Sequence, residues 1–437
     1  VITLSDASTL TWEDTAIIEA SLIEEMSPIC AVLPLSELKA QIYDADNKFS
    51  VFDDNEILAQ RQEIDAWEVV DGLEYYLGRF YLDDWKSPTE ETLEIKAFDI
   101  VGMMDTTSFD GYFFADLTPL SDILDIVLAD IDAGYELGAG LSGRQLKGYI
   151  PAGTVREALQ QVCFAARVMV ITARRSDIGI VEASLPYAHD YHELDIGVNA
   201  KFMEQPTQLK PLVTGIELIS HTYEQSADLE VVYEDTLAPG QYKIIFDDPT
   251  YLVSISGAAA TEYHPLVTHS GAYLVTHDGA KLIKAADYKK GPNTITINVP
   301  APGGVVTMLG YIWHDSQRLY RFIEDGDYTR ANILKIADAT LVSTNNAEYV
   351  LANLRDYYRG RYIHQMELVP MTGPRYGTEV YGDASYGWST AYVKIGQMAS
   401  VATLQGPYMR AVLEKMETDL TGGFLVDASA VGIKVAA

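Results

Sequence analysis

Hydrophobic and polar residues alternate in short runs over residues 1–110. The runs "AIIEASLIEEMS", "ELKAQIYD", "AWEVVDG", "LEYYLGRFYLDDW" and "TLEIKAFDIVGMM" are rich in β-branched and aromatic residues, and "DADN", "DDNE", "DGLE" and "KSPTEE" punctuate them with turn formers. Successive side chains of a strand point to opposite faces, so the pattern predicts a mainly antiparallel β domain. In "YYLGRFYLDDW" the apolar density exceeds simple alternation, which predicts a strand buried on one face and covered on the other.

The period changes near Gly111. In "LTPLSDILDIVLADI", a helix is expected near 118–132, with Thr118 placed to cap it, Pro119 at its first position, and Leu120, Ile123, Leu124, Val127, Leu128 and Ile131 forming one stripe. A second helix is expected over 154–167, because Thr154 and Glu157 make a Thr-x-x-Glu capping box ahead of Val155, Leu159, Val162 and Ala166. "RVMVIT", the turn "ARRSD" and "IGIVEA" then read as a hairpin over 168–183, with Arg174, Arg175 and Asp177 turning the chain. Both helices are expected to pack on the sheet they introduce.

From about Lys210 the β pattern returns in "PLVTGIELISHTYE", "LEVVYEDTL", "PGQYKIIFDDP", "AYLVTHDGAKLIKA" and "NTITINVPAPGGVVTMLGYIW". One more helix is expected near 346–360, with Asn345 and Glu348 as its cap and Ala347, Val350, Leu351, Leu354 and Tyr358 on its apolar face. From Met371 the chain is rich in Gly, Tyr and Ser, with weak strand signals such as "TAYVKIGQMASVATL". The fold class is therefore mainly β with α+β parts, in several domains. The length of 437 residues exceeds one average core, and a 48% hydrophobic content excludes a disordered or fibrous class. No run approaches the ~20 apolar residues of a membrane span, so stable membrane insertion is not expected. "VITLSDASTLTWEDT" has neither a basic nor an apolar leader region, so no signal peptide is expected.

Charge adds the strongest bulk signal. The net charge is −32, and residues 1–136 hold 31 Asp and Glu against 6 Lys and Arg, or −25, leaving −7 for the remainder. Such a field repels nucleic acid. It reads either as a solvated surface or as a wall past which another polyanion slides. Cys30 and Cys163 lie in apolar contexts and read as small buried hydrophobes, a single disulfide being the open alternative; two cysteines exclude a cysteine-rich zinc module.

Motifs for chemistry are weak. "GAGLSG" (Gly138, Gly140, Gly143) matches Gly-x-Gly-x-x-Gly, but no helix follows to aim backbone N–H groups at a phosphate, so it reads as a loop. "HDYHE" offers His189, His192 and Glu193 as metal-ligand types, yet a site needs further ligands converging from elsewhere, and an exposed linker is the better reading. "DADNKFSVFDDNE" departs from a calcium loop at Lys48, Phe49 and Asn55, so it reads as a connection between strands. No metal, cofactor or catalytic set is expected. The 28 tyrosines, with clusters such as "DYYRGRY", suit cores and interfaces better than a saccharide cleft.

Several stretches together resemble the hub (tail-tip or baseplate hub) proteins of Gram-positive phages and phage-derived tail particles. They are "ASLIEEMSPICAVLPLSELKAQIYDADNKFSVF", "LGRFYLDDWKSPTEETLEIKAFDIVGMMD", "GYIPAGTVREALQQVCFAARVMVITARRSDIGIVE" and "ATLVSTNNAEYVLANLRDYYRGRYIHQ"; the part from Met371 matches less clearly. The resemblance implies a homotrimeric ring closing a tail tube, with tail-tube-like β-barrel domains plus an inserted α+β domain. By that analogy residues 1–110 form the first tube-like domain, 111–205 the α+β domain, and 206–240 with 300–370 the second tube-like domain. Residues 241–299 are an inserted β domain and 371–437 a C-terminal β-rich segment. The implied partners are the tail tube protein, distal tail or baseplate proteins and the tape measure protein, with DNA passing without specific binding. The implied location is the virion tail, assembled in the host cytoplasm, and no catalytic residues are implied. The alternatives are a Tyr-rich glycan-binding module, to which Tyr357, Tyr358 and Tyr362 would contribute, and, third, a cell-wall hydrolase.

Overall fold

The computed structural model describes residues 1–4, 8–45, 48–49, 57–70, 73–183, 192–194, 207–246, 248–257, 263–265, 283–285, 294–299, 301–324, 331–368, 398–402, 408–421 and 426–434. Strands dominate, and the largest sheet, of 13 strands, forms a half-barrel. The expected class, mainly β with α+β parts, is the one observed.

One face of that sheet explains the alternation in the first domain. Leu22 on strand Ile17–Glu25 lies opposite Leu38 on Glu37–Tyr43, Leu38 opposite Ala97 on Thr92–Phe98, and Ala97 opposite Leu82 on Leu73–Thr89. Ile42 faces Leu93 in the same way. All six are buried in one apolar core, because cross-strand neighbours on one face of a pleated sheet are forced into contact. The middle of the aromatic-rich strand Leu73–Thr89 is covered on both faces: Phe80 and Leu82 enter this core while Tyr81 enters the larger one. Its bulge opposite Ala66 and Trp67 is made by Gly78 at φ +136°, a conformation that L side chains rarely adopt.

The sheet is completed by strands from the other end of the chain. Tyr408–Asp419 pairs with Ile17–Glu25, Val426–Lys434 pairs with Tyr408–Asp419, and Tyr362–Leu368 follows. A second sheet is organised by the long strand Gly304–Ile323. Its first half pairs with Glu230–Leu237 and Thr250–Gly257, and its second half with Gly215–Gln225, which also pairs with Ile333–Ile336. Gly240–Ile245 and Thr294–Val299 form a hairpin-like pair whose Ile244, Ile295 and Ile297 share a small core with Val306 and Met308.

Four α-helices occur among the described residues: α1 (Ile100–Thr106), α2 (Leu120–Val127), α3 (Val155–Ala166) and α4 (Ala347–Tyr358). α3 carries both halves of the expected capping box, Thr154 Oγ1 accepting from Glu157 N and Glu157 Oε2 accepting from Thr154 N. The hairpin Val168–Ile171 with Ile178–Glu182 also forms. Two caps differ from expectation. α2 begins after Pro119 with no side-chain cap, because Thr118 is engaged in a strand paired with Leu146. At α4 the residue before the helix is Asn346, not Asn345. Its side chain accepts from Ser343 N and donates to the carbonyls of Ala165 and Leu341, so it ties the helix start to the end of α3 instead of capping. The run "TLEIKAFDIVGMM" is not one strand: Asp99 accepts from Val101 N and starts α1.

The turn after α3 does more than reverse the chain. Arg174, at φ +58°, sends its guanidinium into the interior, where Nε and Nη2 donate to both oxygens of Glu24 at 3.1 and 3.0 Å. Its side chain is 5% exposed and that of Glu24 1%. Arg79 N donates to Arg175 O at 3.3 Å beside it. Asp99, fully enclosed, accepts from Ser36 N, Val101 N and Thr172 Oγ1, and burial pushes its carboxyl above the usual range despite those bonds. These two buried acids lock the α+β unit to the main sheet. Replacing Arg174 by Met leaves Glu24 buried and unpaired, and the expected loss is about 3–5 kcal/mol of unfolding free energy. The double variant Glu24→Leu with Arg174→Met recovers most of it. Urea unfolding followed by tryptophan fluorescence measures both, and a single-variant loss under about 1 kcal/mol would contradict a locking role.

Candidate functional site

The ligand-type residues singled out in "HDYHE" do not come together as a described site. His192 and Glu193 belong to a short strand, His192–Leu194, that runs parallel to Met398–Ala402, while His189 lies outside the described residues. Among the described residues no group of three or more His, Cys, Asp or Glu side chains is placed to hold a metal ion. "GAGLSG" is a loop whose Gly140, at φ +81°, leads into one turn of tight helix, with Leu141 buried beneath it. The "DADNKFSVFDDNE" stretch lies largely outside the described residues. Cys30 and Cys163 are free thiols, 1% and 0% exposed, and the neighbouring Cys30 thiol together with burial pushes the Cys163 thiol up.

Polar side chains that are buried act instead as ties between distant parts of the chain. His221, 4% exposed, has Nδ1 2.7 Å from Asp315 Oδ2 and Nε2 2.8 Å from Ala337 O. These contacts join the two central strands of the second sheet to the segment leading to α4. Thr340 Oγ1 reaches the carbonyl of Tyr149 at 2.5 Å and Gln161 Oε1 at 2.9 Å. Gly148 makes room for this approach, since a Cβ there would stand 2.6 Å from Thr340 O.

Tyr357 is held in a similar tie. Its hydroxyl donates to Glu414 Oε1 at 3.0 Å, and Lys210 Nζ sits 3.4 Å from the hydroxyl and 3.8 Å from Glu414 Oε2. Tyr358 packs edge-on against the Tyr357 ring at 5.2 Å. Burial raises the Tyr357 hydroxyl further above its usual range, with the Glu414 charge adding to it. Tyr357 thus joins α4 to the last third of the chain.

Two surfaces stand out. Carboxylates of the first third are exposed, among them Asp83 and Asp84 on strand Leu73–Thr89, Glu90 and Glu91 at the turn after it, and Asp122, Asp125 and Asp130 on and after α2. In the second sheet, Glu230–Leu237 and Thr250–Gly257 each pair on one side only among the described residues, and they expose Val231 (57%), Tyr251 (63%) and Val253 (49%). Unpaired strand edges beside exposed apolar side chains are places where other chains add. No described helix is long and apolar enough to cross a membrane.

Comparison with known proteins adds an outside measure. No protein-family model and no curated protein sequence matches the chain. Solved structures do. The 43 kDa tail protein of prophage MuSo2 from Shewanella oneidensis aligns at TM-score 0.51 and 12% identity, over 99% of this chain and 97% of that one. A tail protein from Neisseria meningitidis MC58 aligns at TM-score 0.51 and 10% identity, over 98% and 95%. A component of the type VI secretion system of E. coli aligns more loosely, at TM-score 0.44 and 7% identity over 100% and 79%. The chain has the fold of phage tail proteins, from end to end.

Glu414 supplies a test of how its tie is built. Burial raises its carboxyl above the ordinary glutamate value, Lys210 and the Tyr357 hydroxyl offsetting this only in part. In the window from about pH 4.3 up through the native value, the folded chain holds a proton that the unfolded chain has lost. Stability therefore falls as pH rises through that window. Glu414→Gln removes the contribution, so its unfolding free energy declines less steeply with pH, by up to about one proton of linkage, while Asp99 keeps its own share. Chemical denaturation at a series of pH values measures this; unchanged slopes would contradict it.

Proposed function

We propose that the chain is a structural subunit of a phage or phage-like tail, forming a trimeric hub that closes the tail tube. In this reading it connects the tube to baseplate or distal tail proteins, the tape measure protein and host-recognition parts, and it performs no catalysis. The observation that carries the proposal is the end-to-end correspondence with two tail proteins, each covered over at least 95% of its length. The exposed strand edges and apolar side chains of the second sheet support it, since a ring subunit must offer edges to its neighbours.

The same reading divides the chain into a first tube-like domain over 1–110, an α+β domain over 111–205, a second tube-like domain from 206–240 and 300–370, an inserted β domain over 241–299, and a C-terminal segment over 371–437. It also gives the charge a purpose. A threefold ring concentrates the −25 of residues 1–136 around one axis, and an anionic wall lets DNA pass without trapping it. The place of action is then the virion tail.

Sedimentation of the purified chain, alone and with purified tail tube protein, tests the assembly. A species of three 48.2 kDa subunits that joins the tube is expected, and a chain that stays monomeric and joins no tail component would overturn the reading. Imaging of the assembled particle tests the lumen: Asp83, Asp84, Glu90 and Glu91 are expected on the inner wall, and an outward position would remove the charge argument while leaving the hub.

A further inference from the structure

A cavity of about 620 Å³ opens between the end of α4, the start of strand Gly215–Gln225 and the end of strand Gly304–Ile323, a size within the range of ligand sites. Its walls include the apolar side chains of Ile216, Phe322 and Tyr358. Arg355, Arg359 and Arg361 line it with a single carboxylate, Glu324, so three positive charges against one negative give it +2 in a chain of −32.

The arginines are not equally satisfied. Arg355 Nε lies 2.9 Å from Asp356 Oδ1, and Arg359 Nη1 lies 3.7 Å from the same oxygen. Both follow the ordinary preference for cations at the last turn of a helix. Arg361 lies beyond the helix, makes no ion pair among the described residues, and has a buried Nε without a hydrogen-bond acceptor. That Nε is sealed from solvent, while the residue as a whole is half-buried. An incoming carboxylate would therefore meet the guanidinium at its Nη groups, with the planar geometry that arginine matches.

We propose that this cavity is a socket for an acidic segment of a partner protein, in which a carboxylate stands next to an aromatic or large aliphatic side chain. The carboxylate accepts from Arg361 and Arg359, and the apolar side chain rests on Phe322 and Tyr358. A different chain is the better donor than a second copy. The acidic strands Ile17–Glu25, Glu37–Tyr43, Leu73–Thr89 and Thr92–Phe98 are each paired along both edges within the main sheet, so none can enter the socket as a strand. Exposed acids such as Asp116 beside Leu117 make a second copy the alternative that the self-association arm tests. The socket rests on the reading of the chain as a tail subunit only for the source of the partner, a neighbouring tail component; its ligand chemistry follows from the cavity itself.

The probe is a short fluorescent peptide with Leu-Glu-Phe at its centre, compared with Leu-Gln-Phe, and anisotropy with the full chain is the readout. The Glu peptide is expected to bind at least about tenfold more tightly than the Gln peptide. Its binding weakens between about 50 and about 300 mM salt. Arg361→Gln and Arg359→Gln are each expected to lose about tenfold or more. Arg359 is 45% exposed and its loss leaves the fold in place, which a thermal unfolding curve verifies. Equal binding of the two peptides, wild-type binding by both variants, or no binding up to about 1 mM overturns the proposal. Self-association of the chain that R359Q abolishes would overturn the assignment to a different chain and give the socket to a second copy. If both variants assemble with tail tube protein but bind the Glu peptide like wild type, the socket fails and the hub reading stands. Arginine-dependent peptide binding in a chain that joins no tail component leaves the socket and removes the hub.

Discussion

Strand Ile17–Glu25 has one edge that no strand near it in sequence covers, and the architecture depends on how that edge is closed. An open edge here would present a row of unpaired N–H and C=O groups beside the apolar face of Ala20 and Leu22. Tyr408–Asp419 closes it, with Lys415 opposite Glu25 and Asp419 opposite Ser21. That strand also brings Glu414 to Tyr357 and Lys210. One pairing across nearly the whole chain thus joins the first sheet, the last strands and α4. The entropy of closing such a loop grows only slowly with its length, so the arrangement is affordable in stability, but contacts this distant in sequence form late.

The charges follow the same plan. Only 31 Lys and Arg meet 63 Asp and Glu, and a few of those cations hold acids of the main sheet. Arg174 neutralises Glu24 in the interior, and Arg79 bridges Asp65 and Glu63 on adjacent strands. Lys39 and Lys96, directly opposite on neighbouring strands, are held together by Glu37 between them, which keeps that carboxyl below its usual range in spite of its own desolvation. The surplus acids are left at the surface, where water screens them. Among the described residues of the first third, Glu24, Asp44, Glu68 and Asp99 are buried, while acids such as Asp83, Asp84, Glu90 and Glu91 stay exposed.

What was legible in the sequence is what local physics decides. The capping box of α3, the stripe of α2 and the hairpin after α3 are short-range features, and all three form. The reading erred where a residue had a second, non-local use. Thr118 resembles a cap, but its backbone is wanted by the strand opposite Leu146. Arg174 resembles a turn residue, but its partner Glu24 lies 150 residues away. Asp99 sits inside an apolar run that reads as one strand; its carboxylate, bonded to Ser36 N and Thr172 Oγ1, converts the run's end into a helix. The run "DYYRGRY" stood out for its tyrosines, and nothing local shows that Arg355, Arg359 and Arg361 line a cavity with Phe322 and Ile216.

These non-local uses also bear on function. An active site needs reactive groups held in reach of solvent, whereas His221, Asp99, Glu24 and Thr340 spend their polar atoms on joining one part of the chain to another. Tyr357, which could have served a glycan surface, is committed to Glu414. Among the described residues, groups left for other uses include strand edges with Val231 and Tyr251, exposed carboxylates, and the guanidinium of Arg361 at the wall of a cavity. Those are features that a neighbouring chain can use.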